Sequence, residues 1–451
     1  VGQQNVIAAA VAACLAVGCG PRDPEAAVRA ALARGGAVSL PAGDLVIAAP
    51  LRVVSGTTLT GSAGSRVVAA RNFEGAALIL AENVSDVTFS GFELDGNRDA
   101  LEQPLEMAPP ENAFRVWYAQ NGILADRVAN LRIERVRFRK VVNFPVLVSR
   151  SSRVRILNVA VEDSGSLNAA GRNNLSGGIL IEEGTQDFEV RGSAFRNIRG
   201  NALWTHSLFT SPRLQDGVFA GNRFETVGRD AIQVGHAKRV AVEDNVGMGI
   251  GYPVEIVDVE HGGTPVAIDT AGDVEGAQYV RNQFLEVNGK CIDLDGFHDG
   301  VVRDNQCVNR SPLERYPHGH FGIVMNNTHP DAHSRNIELR GNVIDGARYG
   351  GLFLMGSHHR VAGNRFLNVN RAGCPSAGAV CAYKPEEPRM LSSGIYLGRG
   401  VARKEPTAEN VIRDNTVTGR FMSANCIVLG PDVAPAANTI ENNDCREAEE
   451  R

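Results

Sequence analysis

The chain has 451 residues, with 46 Lys+Arg against 51 Asp+Glu, a formal net charge of −5 and a hydrophobic content of 43%. That balance belongs to a chain with a buried core; it excludes a disordered polymer and leaves no basic excess to neutralise nucleic-acid phosphates. Lysine is scarce, five residues against 41 arginines, and no apolar run reaches the ~18 residues of a membrane span.

In chain order, residues 5–20 (NVIAAAVAACLAVGCG) are expected to form a helix that caps the fold. The basic start of an export signal is missing there, and a lipoprotein cleavage box ending at Cys19 is the minority reading. Residues 24–32 (PEAAVRAAL) read as a short helix and 35–47 (GGAVSLPAGDLVI) as a first strand pair. Less regular units run through Leu78–Asp95, Gly122–Phe138 and Pro145–Val161. Then a phrase recurs: small residue, Ile or Leu, variable residue, aliphatic, variable residue. It reads GILIE at 178–182, ALWTH at 202–206, AIQVG at 231–235, AIDTA at 267–271 and CIDLD at 291–295, and continues through GIVMN, GLFLM and GIYLG to CIVLG at 426–430. A second phrase follows the first, built around Asn222, Asn245, Asn282, Asn305, Asn342, Asn364, Asn415 and Asn443, with shortest spacings of 22 and 23 residues.

Alternation with period two marks strands, and units of ~22 residues are too small to bury a face alone. Stacking solves this, because each strand pairs in parallel with its copy in the next coil while the aliphatic positions fill a continuous interior. Aligned asparagines then hydrogen-bond from coil to coil and satisfy buried backbone groups. The expected fold is all-β, a right-handed parallel β-helix in a single domain over 1–451: N-terminal cap and first strands in 1–50, coils in 51–445, tail in 446–451. The cysteines fall as local pairs, expected as the disulfides Cys14–Cys19, Cys291–Cys307, Cys374–Cys381 and Cys426–Cys445. Four such loops point to an oxidising compartment, secreted or periplasmic, or the cell surface if Cys19 carries a lipid.

The helix, GGAVSLPAGDLVI, the following TTLTG and the asparagine-marked coils together resemble the pectate-lyase-like superfamily of parallel β-helix proteins. That resemblance implies polysaccharide lyases, glycoside hydrolases, uronate epimerases or noncatalytic surface proteins, and fold alone does not choose among them. Within it, GRDAIQVG at 228–235 is similar to the aspartate-pair segment of polygalacturonases, with Lys290 of GKCIDLDG at the same repeat position as Asp230. PHGHFG at 317–322 is a distorted form of that family's Gly-His-Gly, and its Arg-Ile-Lys string is missing. HPDAH at 329–333 loosely resembles an epimerase string in the wrong order.

In each phrase the variable positions point outward. They put Trp204, His206, Gln233, Asp269, Lys290, Asp293 and Asp295 on one face, with Asp230 at its margin and Asn326 one coil later. Coils stack ~4.8 Å apart, so Asp269 and Asp293 stand ~5 Å apart and need a cation, a shared proton or a basic neighbour. Insertions at 98–121, 164–176, 247–266, 308–320 and 371–393 precede these strands, and others at 207–215, 327–335 and 399–409 follow them, walling a groove. Trp204 and Trp117, the latter in FRVWY at 114–118, are candidate platforms for sugar rings. His236 and His298 are further candidate binding groups, from a concentration of histidines between 206 and 333.

The leading expectation is β-elimination on an acidic, uronate-containing polysaccharide, with Lys290 or a histidine (His206 or His298) as base. Asp269, Asp293 and Asp295 would then hold Ca²⁺, since hard cations take oxygen ligands. Alternatives are a glycoside hydrolase with paired aspartates as acid and base ~6.5–9.5 Å apart, an epimerase, or a carbohydrate-binding surface protein. The partner is a polysaccharide or oligosaccharide, with no nucleic acid, and the capped solenoid is expected to act as a monomer.

Overall fold

The computed structural model describes residues 23–109, 111–260, 263–376, 381, 387–400 and 403–448. Residues 5–20 and the pair Cys14/Cys19 lie outside these. Helix α1, Pro24–Arg34, begins at Asp23, whose side chain accepts from the Ala26 N–H at 3.0 Å, and has Pro24 in its first turn. It buries Val28 and Leu32, and Arg29 bonds the carbonyls of Pro50 and Ala49, both at 2.6 Å, so it closes one end of the strand stack.

Every strand pairing among the described residues is parallel and follows the repeat. The coils form a 27-stranded and a 14-stranded sheet. The larger contains two columns of strands, joined because Ile232–Glu243 and Val266–Glu275 run through a corner and pair in both. Inside the second column a bend recurs at one register position: Asp86, Asn130, Arg153, Asp187, Asp216 and Arg239 all have φ between 52° and 65°. Asp and Asn tolerate this left-handed bend, which explains their frequency there. Inside, rungs stack like on like, as in Phe195 over Phe224 with ring centroids 5.1 Å apart.

The asparagine series forms one continuous ladder. Asn282 shows its unit: Oδ1 accepts from Asn245 N (3.1 Å) and Nδ2 (2.9 Å), while its own Nδ2 donates to Asn305 Oδ1 (2.8 Å) and Val242 O (2.9 Å). The same bonds link Asn222 through to Asn443. Cys291–Cys307, Cys374–Cys381 and Cys426–Cys445 are disulfide-bonded. Among the described residues no helix is long and apolar enough to cross a membrane.

Removing one amide from this ladder strands donors and acceptors on both neighbouring coils. Asn282→Ala is expected to cost about 2–4 kcal/mol in denaturant unfolding, and a loss under about 0.5 would contradict the ladder's role.

Candidate functional site

Six consecutive strands carry the middle of the outward face: β1 (Ile179–Glu182), β2 (Leu203–His206), β3 (Ile232–Glu243), β4 (Val266–Glu275), β5 (Lys290–Asp295) and β6 (Ile323–Asn326). Their register aligns one outward column of side chains from Leu147 through Leu180, Trp204, Gln233 and Asp269. Ile268 pairs with Ile292, so Asp293 comes next, followed by Val324, Phe353, Tyr396 and Val428. The column is apolar except at its middle, where Gln233, Asp269 and Asp293 follow one another.

Loops roof both apolar stretches. On one side, Phe114 and Tyr118, from and just after helix α2 (Phe114–Trp117), pack with Phe144, Leu147, Leu180 and Trp204. On the other, Phe321, Met390 and Leu391 pack with Val324, Phe353, Tyr396 and Val428. The polar rungs therefore lie between two walls.

Trp204 does not serve as the expected sugar platform: it is only 4% exposed, edge-on to Phe114 at 4.9 Å, because helix α2 (Phe114–Trp117) folds over it. Trp117 packs against the same cluster and donates its indole N–H to Glu106 O at 3.1 Å, so it belongs to the roof.

The polar rungs are wired together. Gln233 donates to Asp269 Oδ2 at 2.6 Å and accepts from Asn201 at 2.9 Å, and Asn201 in turn accepts from the Asp230 N–H at 3.2 Å. Asp230 is fully enclosed; its Oδ1 accepts from Val266 N at 2.9 Å and its Oδ2 pairs with Arg229 Nε at 3.4 Å. Burial pushes its carboxyl up. Burial, together with neighbouring Asp230 and Asp293, holds the Asp269 carboxyl well above the usual range.

Asp293 has a cation beside it. The Lys290 ammonium donates directly to its Oδ2, while its Oδ1 is buried with no hydrogen-bond partner in the protein. Asp295 turns to the loop after β6, where Thr328 N and Oγ1 hold its two oxygens at 2.7 and 2.6 Å; burial, with Asp293 nearby, raises it to about 6. Asn326 is its register partner.

The calcium expectation fails on these contacts. Asp269, Asp293 and Asp295 are each directed to a different protein donor, and a lysine already occupies the cation's role at Asp293. Among the described residues, the acidic and histidine groups whose ligand atoms converge within 4.8 Å are instead Glu182, Glu183 and His206.

The expected histidines sit elsewhere. His206, two strands before Asp269, stacks on Phe114 with centroids 4.4 Å apart, and burial lowers it to about 4. His236 lies at a register break between Gly235 and Ala237 and packs against Phe209 and His329; burial lowers it to about 4. His298 is held between Asp273 (2.8 Å) and Asp299 (2.7 Å), and their hydrogen bonds raise its pKa.

Sequence reasoning missed Asn201 and Arg229 and gave no role to His320. His320 is buried, lowered to about 3 by desolvation and by the charge of nearby Lys290. Its signal was available in PHGHFG. Arg229 Nη1, buried beside Asp230, has no hydrogen-bond partner in the protein.

No family model and no curated protein matches the sequence. Solved structures do match. An exopolygalacturonase from Thermotoga maritima aligns at 13% identity over 77% of this chain and 87% of its own, with a TM-score of 0.53. The N-terminal fragment of gene product 12 of bacteriophage phi29 aligns at 12% identity over 85% and 62%, also at 0.53. A mannuronan C-5 epimerase A-module from Azotobacter vinelandii aligns at 16% identity over 92% and 95%, at 0.49. The fold is thus that of the right-handed parallel β-helix proteins.

Because His298 is raised by its carboxylates, its charged form stabilises the folded state. That stabilisation is complete below the ordinary histidine value of ~6.5 and is lost as pH rises through the raised folded value. Unfolding measured from about pH 6 to about pH 9 is expected to show this decline, flattened in His298→Gln; equal slopes in both proteins would contradict it.

Proposed function

We propose that the chain is a carbohydrate-active hydrolase that cleaves a uronate-containing polysaccharide in the groove between the two roofed walls. Asp269 is the general acid and donates its proton to the glycosidic oxygen as that bond breaks. Asp293, about 5 Å away, is the nucleophile: it attacks the anomeric carbon as that bond breaks, and water then hydrolyses the glycosyl-enzyme with Asp269 as base. The observation that carries this reading is the asymmetry of the two neighbouring carboxyls. One is buried beside other carboxyls with a neutral amide as its donor, and the other is ion-paired to Lys290 with one oxygen left unpartnered. Unequal environments of two neighbouring carboxyls assign their separate roles.

The same contacts weigh against the elimination first expected. Lys290 is engaged by Asp293, His298 lies between two carboxylates, and His206 lies beneath Phe114. The partly exposed Lys290 beside Asp293 gives the groove a cation that suits a sugar carboxylate. Disulfides and an extended groove fit secretion and a polymeric substrate. The likeness to an exopolygalacturonase is one of fold and is consistent with this chemistry.

A panel of acidic polysaccharides tests the proposal. Reducing ends are expected without the ultraviolet absorbance of an unsaturated uronate; growth of that absorbance would establish elimination instead. On the active substrate, Asp269→Asn and Asp293→Asn are each expected to lower kcat by about 10²–10⁴ with binding retained. Wild-type activity should fall as pH rises through the elevated value of Asp269. Full activity in either variant would remove that residue from the mechanism.

A further inference from the structure

A second cluster lies on the same face, on the two strands before the polar rungs. Glu182 and His206 are register partners on β1 and β2. In a regular strand Glu183 would point to the opposite face, but its φ of 54° breaks the alternation. The outcome is that Glu182, Glu183 and one nitrogen of His206 converge within 4.8 Å.

Two features mark this cluster as a site. Glu182 and Glu183 are 0% and 8% exposed, an uncommon place for adjacent carboxylates. His206 Nδ1 is buried, with no hydrogen-bond partner in the protein, on a ring covered by Phe114. The nearest cations are committed elsewhere in part: Arg150 Nε donates to Asp126 at 2.8 Å, and Arg115 Nη1 lies 3.8 Å from the same carboxylate.

We propose that Glu182, Glu183 and His206 bind one divalent cation of the zinc class, completed by water. Two carboxylates and an imidazole are a nitrogen–oxygen donor set that suits Zn²⁺ or its first-row neighbours, whereas Ca²⁺ takes a larger all-oxygen shell. The ion clamps the groove walls. Glu182 accepts from the Phe114 and Arg115 N–H groups at 2.9 and 3.0 Å, and Glu183 accepts from the Leu208 N–H at 2.9 Å. One ion held by both carboxylates therefore ties the α2 roof and the loop after β2 to the sheet. This inference is independent of the hydrolase proposal.

The test is calorimetric titration of untagged, EDTA-stripped full-length protein with zinc chloride. Saturable binding of one ion per chain is expected, weakened about tenfold or more in Glu183→Gln and in His206→Gln. His358→Gln, which alters an exposed histidine paired with Glu409, should bind as wild type does. Hydrogen exchange across 105–118 should slow on zinc addition in wild type and not in Glu183→Gln. Should His206→Gln fail to fold, Glu183→Gln, at the rim of the cluster, decides. Absence of saturable uptake by wild type, or uptake indifferent to both ligand substitutions, overturns the proposal.

Discussion

Parallel stacking in strict register is the constraint on which everything else here depends. Neighbouring coils lie ~4.8 Å apart, so each side chain meets the residue at the same position one coil on. Where that residue is asparagine, the result is a ladder that satisfies buried amides, as at Asn245, Asn282 and Asn305. Where it is aromatic, rings stack, as at Phe195 and Phe224. Where it is aspartate, stacking forces two carboxyls together, and the local chemistry must resolve the repulsion.

At Asp269 and Asp293 the resolution is unequal. Lys290 lies three residues before Asp293 on its own strand, within reach of that carboxylate. Asp269 receives only an amide from Gln233 and lies near Asp230 as well, so the proton is the cheaper compensation there. The apolar column on either side, with its roofs, keeps water from screening the pair. Fold and site are thus one argument: the repeat supplies the adjacency, and the break in its apolar pattern supplies the chemistry.

What was legible in the sequence was whatever the repeat controls. The asparagine series, the outward column and the described cysteine pairs all follow from counting positions within a coil, because register carries each count directly into space. What the insertions do was not legible. Nothing in the period says that FRVWY folds down over Trp204, which turns an expected sugar platform into core and draws His206 beneath Phe114. Nor does it say that Asp295 turns to Thr328 or that His298 is caught between Asp273 and Asp299. Those partners come from loops and from the neighbouring column, whose landing points depend on tertiary packing. The calcium expectation failed for the same reason, since it counted carboxylates without their donors.

The central claim is that Asp269, raised by burial and by its neighbours Asp230 and Asp293, holds the proton of the pair, while Asp293 is ion-paired to Lys290. Infrared difference spectroscopy of wild type against Asp269→Asn at neutral pH tests it most directly. The account predicts a protonated-carboxyl stretch in wild type that is lost in the variant. Loss of a carboxylate band instead would show that Asp269 is ionised, and would contradict the assignment of acid and nucleophile.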